Sequence, residues 1–198
     1  MALRAVVFDV GETLVDETRN WEHVADVCGV PRFTLMALVG ATIPMGEPHW
    51  RALEWLEVKP TREELRQAFD NDSLYPDAVP CLRVLRERGL VVGAVGNMGI
   101  VHEELVRPHV DFVSSSERWG VEKPSAEFFT RVCEAAGAPP GDVAYVGDLV
   151  TNDVVPALAA GLVAVHIRRG PWGYLQEPPP EAIRVRSLAE LPEALADA

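Results

Sequence analysis

Ala5-Val6-Val7-Phe8-Asp9-Val10-Gly11-Glu12-Thr13-Leu14 is an apolar run that ends abruptly in an aspartate, with a glycine and a threonine close behind. A short continuous apolar run flanked by polar residues reads as a buried strand of a parallel sheet. Ligands of such sheets sit beyond the carboxyl ends of the strands. Asp9 therefore stands where chemistry takes place, although a turn or capping aspartate would leave the same trace. Two later runs repeat the pattern. Val92-Gly93-Ala94-Val95-Gly96-Asn97 ends in an amide, and Val143-Ala144-Tyr145-Val146-Gly147-Asp148 ends in an acid, with Asp153 shortly after. Between them, Glu122-Lys123-Pro124 carries one of the chain's two lysines. The chain otherwise uses arginine, so Lys123 reads as a compact charge chosen for its place.

Around these runs the periodicity changes. Residues 15–73 give no strand signal. Residues 20–28 and 31–41 have helical apolar spacing, and 48–58 carry Trp50, Leu53 and Trp55. Thr61-Arg62-Glu63-Glu64 is a capping box that opens a helix to Phe69. From Asp77 onward helix and strand alternate. Helices are expected over 77–88, 100–106, 125–136 and 152–160, and strands over 90–95, 111–113, 143–146 and 162–167. Asp77 is expected to cap the first of these helices. Residues 168–180 read as a Pro- and Gly-rich loop, and 188–196 as a last helix. The alternation implies an α/β fold, a doubly wound parallel sheet with helices on both faces. The all-helical block interrupts it after the first strand. The expected division is a core of residues 1–14 and 74–198 and an inserted helical cap of 15–73.

Composition narrows the function. The chain has 198 residues, enough for one core with a small insertion. Its net charge of −12 repels nucleic-acid phosphates. Arg83, Arg86 and Arg88 are the one basic group, and they read as the wet face of a helix. No apolar stretch approaches the roughly 20 residues of a membrane helix, and the first strand begins too early to leave room for a signal peptide. Neither a nucleic-acid nor a membrane partner is expected, and a cytoplasmic location is. Cys28, Cys81 and Cys133 match no metal spacing, read as small buried hydrophobes and indicate a reducing compartment. No oligomeric state follows from the sequence.

Taken in order, the four segments resemble the motifs of the haloacid dehalogenase (HAD) superfamily. Asp9 to Thr13 resembles its strand with Asp-x-Asp-x-Thr, and Gly96-Asn97 its strand with Ser/Thr-Asn. Lys123-Pro124 resembles its Lys-Pro at a helix start, and Gly147 to Asp153 its strand with Gly-Asp-x-x-x-x-Asp. The resemblance covers residues 4–167, and it is the order, the spacing and the apolar run before each acid that carry it. It implies a Rossmann-like core with a helical cap, and a Mg²⁺-dependent hydrolase. Asp9 would be the nucleophile. The Mg²⁺ ligands would be Asp9, the Gly11 carbonyl and Asp148, with Asp153 beside them. A pair of carboxylates this close would repel, and a divalent cation with oxygen ligands removes that cost. Lys123 would hold Asp9 ionised and steady the transferring group. Asn97 would donate its amide to phosphoryl or substrate oxygens. The loop leaving the last strand adds Arg168, either a clamp for a second anionic group or a solvated side chain.

Two positions depart from the family pattern. The acid two residues after the nucleophile, which protonates the leaving oxygen, is Gly11 here. The Ser/Thr of the second motif is Gly96, which leaves a backbone N–H in place of a hydroxyl. Three readings stay open. The chain is a phosphatase of small phosphorylated metabolites whose missing acid is supplied by Glu12, Asp16 or a cap acid. Or it cleaves carbon–halogen or carbon–phosphorus bonds, as dehalogenases and phosphonoacetaldehyde hydrolases do without this acid. The latter need a cap lysine, for which Lys59 is the candidate. Or it binds a ligand without turnover. Retention of Asp9, Lys123 and Asp148 favours chemistry, and the expected function is the phosphatase, forming an aspartyl phosphate. Trp21, His23, Trp50 and Trp55 are cap residues that could meet the substrate, or helix core.

Overall fold

The computed structural model describes residues 3–61, 63–65 and 73–196. In chain order it contains β1 (Ala5–Phe8), α1 (Thr18–Cys28), α2 (Arg32–Met45), α3 (Arg51–Trp55), α4 (Ala78–Glu87) and β2 (Val91–Gly96). Then come α5 (Glu103–Val106), β3 (Phe112–Ser115), α6 (Ser116–Trp119), α7 (Ala126–Ala136) and β4 (Val143–Gly147). The chain closes with α8 (Val155–Ala159), β5 (Val163–Ile167), α9 (Gly170–Leu175), β6 (Ile183–Val185) and α10 (Leu191–Ala194). The strands form one sheet of six, in the order β3-β2-β1-β4-β5-β6, and each neighbouring pair is parallel.

The apolar runs become strands because both of their faces are covered. Val6 and Phe8 pack with Val92, Val146 and with Leu82 and Leu85 of α4. Ala5 and Val7 point the other way, toward Phe128, Phe129 and Val132 of α7. Burying each such Val, Leu or Phe contributes about 1.5–3 kcal/mol. This explains why the strands read as unbroken apolar runs and not as alternating ones.

The topology places the site. From β1 the chain builds outward through β2 to β3, then returns to lay β4 against the other side of β1. The strand order therefore reverses between β1 and β4, and a crevice opens above their carboxyl ends. Phe8 is in register with Ala94 on one side and Val146 on the other. The next residue, Asp9, donates its N–H to the Val146 carbonyl at 2.8 Å. Asp9, Asn97 and Asp148 thus leave three adjacent strands along one edge.

Helices α1, α2 and α3 sit between β1 and α4 with an apolar cluster of their own, built from Val24, Ala25, Leu35, Val39 and Ala52. Among the described residues no single helix is long and apolar enough to cross a membrane. Only α1 and α2 taken together reach that length, and they are bent by 116°. The Thr61–Glu64 capping box forms: Thr61 N–H donates to Glu64 Oε2 at 2.8 Å, and Glu64 N–H to Thr61 Oγ1 at 3.3 Å. The helix expected beyond it, to Phe69, lies largely outside the described residues.

Several expectations need correction. The segment 168–180 is not wholly loop, because α9 begins at Gly170 with Pro171 in its first turn, where a missing N–H costs nothing. Its Trp172 packs against the apolar cluster of the helical block. β6 was not legible, since three residues with an exposed centre carry too little pattern. Asp77 does not cap α4 with its side chain. Its Oδ2 instead accepts from Arg169 and from the Leu188 N–H, the latter at 2.9 Å. The last helix shrinks to α10, and the helix after β4 starts as a π-helical turn, Val150–Val154, before α8.

Candidate active site

Asp9 emerges from β1 into a buried ion-pair network. Lys123 Nζ lies 2.7 Å from Asp9 Oδ1 and 2.6 Å from Asp153 Oδ1, with only 4% of the lysine side chain exposed. The ammonium is walled by the rings of Tyr145 and Phe128, 5.7 and 6.0 Å from their centroids. An unpaired charge could not survive there; this one does because two carboxylates face it. Burial alone would lower the lysine's pKa, but Asp153 and Asp9 outweigh it and hold the group well above its ordinary value. Asp153 is fixed in turn by the Leu149 N–H, which donates to its Oδ2 at 2.9 Å. It belongs to the π-helical turn after β4, a local widening that recurs at functional sites.

Asn97 reaches across to the segment that carries the lysine. Its Nδ2 donates to the Lys123 carbonyl at 3.0 Å, and its Oδ1 accepts the Lys123 N–H at 2.8 Å. The amide clamps the backbone that carries the lysine, so Asn97 positions Lys123. Gly96 is a point of close approach: a Cβ there would fall 2.5 Å from Asp9 Oδ1. Any side chain at 96 would displace the nucleophile candidate. Asp148 is held through its backbone, whose carbonyl accepts from His166 Nε2 at 3.1 Å. A carbonyl only accepts, so this ring carries its proton on Nε2.

Asp9, Asp148 and Asp153 each offer a ligand oxygen, and these lie within 4.8 Å of one another. The cluster holds three carboxylates and one ammonium, which pairs with Asp9 and Asp153, so it carries surplus negative charge. Its consequences are visible. Burial, Asp153 and Asp9 together push Asp148 well above the carboxylate range. Burial also lifts Asp153 to about 6, although Lys123 opposes the shift. A hard divalent cation with oxygen ligands fits both the donors and the charge.

The cleft over this cluster has a volume of about 900 Å³. Its floor includes Asp9, Gly11, Lys123 and Asp148; its far wall is Asn20, Ile43, His49 and Trp50. His49 stands amid three indoles, with ring centroids 5.5 Å from Trp21, 5.3 Å from Trp50 and 6.4 Å from Trp172. Beside Gly11, Glu17 lines the cleft at the start of α1. Burial, then Glu12 and then Asp9, raise its carboxyl from the ordinary 4.5 to about 8.

These shifts have a measurable sign. Glu17 and Asp153 both bind protons more tightly in the folded state than in the unfolded chain. Between their ordinary and raised values the folded protein holds protons that the unfolded chain has released, so stability falls as pH rises. His49, His102 and His166, lowered by burial, act the other way up to about pH 6.5, so in EDTA Tm is expected to drop between about pH 6.5 and about pH 8. Added Mg²⁺ should reverse the drop, most strongly at the alkaline end, because the cation replaces the lost protons. A Tm that climbs over the same range in EDTA would contradict this electrostatic picture.

The haloacid dehalogenase-like hydrolase family model matches residues 3–161. The chain belongs to this family. It is similar to the glyceraldehyde 3-phosphate phosphatase of Methanopyrus kandleri, with 39% identity over 104 residues, 50% of this chain and 45% of that protein. It is also similar to the phosphoserine phosphatase of Thermus thermophilus, with 35% identity over 178 residues, 81% of this chain and 70% of that protein. In fold it resembles the crystal structure of an L-2-haloacid dehalogenase, with a TM-score of 0.76 at 20% identity, over 99% of this chain and 100% of that one. The chain spans about half the length of the first two curated relatives it matches, 45% and 54%.

Not every residue singled out in this HAD-like hydrolase reaches the cleft. Arg168 turns away and lies over the Tyr174 ring, 5.2 Å from its centroid. Its neighbour Arg169 is a strut, donating to the Thr13 carbonyl at 2.9 Å and to Asp77 while stacked on Tyr75. Lys59 is exposed and is not among the cleft residues. His23 bonds the Glu64 carbonyl at 3.0 Å, away from the site. Glu17, His49 and Trp172 also line the cleft; the two rings carried no signal in the sequence, whereas Glu17 falls among the cap acids left open as substitutes for the acid absent at position 11.

Proposed function

We propose that this HAD-like hydrolase is a Mg²⁺-dependent phosphatase of small phosphorylated metabolites, acting through an aspartyl phosphate on Asp9. The observation that carries this reading is the cluster itself: three carboxylates gathered at the sheet's switch point, two of them paired with one buried ammonium. Asp9, the Gly11 carbonyl and Asp148 would hold the cation, with Asp153 already bonded to Lys123 and the Leu149 N–H. When bound, Mg²⁺ neutralises surplus carboxylate charge and phosphoryl oxygens.

The chain's own groups divide the remaining work. Lys123 pairs with one Asp9 oxygen at 2.7 Å and would face the equatorial oxygens of the transferring group. Asn97 holds that lysine in place through its backbone. Helices α1, α2 and α3 act as a cap over the cleft, where Trp50 and Trp172 bound the substrate's size. The relatives named as phosphatases of glyceraldehyde 3-phosphate and phosphoserine support a substrate of that scale. Carbon–halogen cleavage has less support: among the described residues no arginine lines the cleft, and a triple-acid cluster has no use without a cation. The three free thiols support a reducing, cytoplasmic setting.

The test is hydrolysis of a panel holding an aryl phosphate, glyceraldehyde 3-phosphate and phosphoserine, with Mg²⁺ or with EDTA. Turnover of at least one ester, lost in EDTA and restored by Mg²⁺, is expected. Turnover that persists in EDTA, or release of halide from a 2-haloacid without any ester hydrolysis, would overturn the reading.

A further inference from the structure

Phosphatase chemistry has one need that the groups above leave unmet. An alkoxide leaves with a proton, and the water that later cleaves the acyl phosphate must lose one. Gly11 has no side chain to do either. Its surroundings explain the glycine. A Cβ at position 11 would stand 2.6 Å from Glu17 Oε1 and 3.0 Å from Glu17 Cδ. A carboxyl already fills that space, brought there from the start of α1 and not from the loop after β1.

Glu17 is fixed at both backbone groups. Its N–H donates to Glu12 Oε1 at 3.1 Å, and its carbonyl accepts the Trp21 N–H at 3.0 Å as α1 begins. Its side chain shares the cleft with Asp9, Lys123 and Asp148. The nearer acid in sequence, Glu12, is otherwise engaged. Tyr75 donates its hydroxyl to Glu12 Oε2 at 2.6 Å, and Oε1 takes the Glu17 N–H. Asp16 is tied to the Thr18 N–H at 2.9 Å.

We propose that Glu17 is the general acid and base of this enzyme, a carboxyl transplanted from the strand loop to the first turn of the helical block. The assignment rests on the phosphatase reading. In the first half-reaction an Asp9 oxygen bonds to phosphorus while the bond from phosphorus to the ester oxygen breaks. That oxygen keeps the electron pair, takes the Glu17 proton and departs as an alcohol, which leaves Glu17 a carboxylate. In the second, a water oxygen bonds to phosphorus and its proton passes to Glu17. The bond from phosphorus to Asp9 breaks, Asp9 regains its carboxylate, and inorganic phosphate leaves.

The experiment compares kcat and KM on an aryl phosphate and an alkyl phosphate in Mg²⁺, with thermal melts alongside. Three proteins are needed: the wild type, Glu17→Gln, and Gly11→Asp combined with Glu17→Ala. An aryloxide leaves unaided, whereas an alkoxide needs the proton. Glu17→Gln is expected to lose about 10²- to 10⁴-fold in kcat on the alkyl ester and under about 10-fold on the aryl ester, with Tm kept. The double variant returns an acid to position 11 and clears the space for it, so alkyl turnover should recover well above that of Glu17→Gln. Equal losses on both esters, or no loss on the alkyl ester, would overturn the Glu17 assignment and leave the phosphatase standing. A wild type that hydrolyses neither ester would bring down the phosphatase reading and the Glu17 role with it.

Discussion

Asp9→Asn is expected to lower phosphate-ester turnover by about 10⁴-fold or more while the protein stays folded. The amide matches the carboxylate in shape, so the carboxyl edge of β1 need not move. It cannot form an acyl phosphate, and Asp153 is not free to take its place, because its oxygens are bonded to Lys123 and the Leu149 N–H. The fold tolerates the loss because Lys123 keeps Asp153 at 2.6 Å. Asp9 is also one of the charges that push Asp148 and Asp153 upward, so its removal relaxes both. Kinetics on the best ester found, with a thermal melt of the same sample, check both halves. Substantial residual turnover would mean that another group attacks phosphorus.

Lys123→Met is expected to cost about 3–5 kcal/mol of stability in EDTA, the usual penalty for stranding the partner of a buried ion pair. That corresponds to a fall in Tm of roughly 10 °C for a chain of this size. The physical reason is that Asp9, Asp148 and Asp153 would then crowd together with no counter-charge among them. Mg²⁺ should return part of the loss, since it supplies the missing positive charge, but not the activity. Urea or thermal melts with and without Mg²⁺ measure this. A loss below about 1 kcal/mol in EDTA, as for a surface pair, would mean that the network is not the electrostatic centre of the site.

What the sequence disclosed, and what it withheld, follows from the range of each signal. Asp9 and Asp148 were legible because each terminates an apolar run, and a doubly wound sheet brings such ends to one edge. Lys123 stood out by its rarity. Asn97 was legible as a strand-end amide, but its pairing with the Lys123 backbone was not, since the two lie far apart in the chain. The choice between Arg168 and Arg169 depends on which way each side chain turns after β5, and composition is silent on that. Asp77 sits correctly for a helix cap, yet tertiary partners claimed its carboxylate. Trp172 and α9 were hidden by Gly170 and Pro171, which read as loop until packing against the helical block holds them. Glu17 was the most distant inference, because it becomes meaningful only once the void at Gly11 is seen to be filled.

The most direct test of the account is acid quenching of the protein during turnover of a phosphate ester in Mg²⁺, followed by peptide mass mapping. A gain of about 80 Da on the peptide containing Asp9, absent without Mg²⁺ and absent in Asp9→Asn, is the predicted result. Turnover with no adduct at Asp9, or an adduct carried by another residue, would contradict the nucleophile and the mechanism built around it.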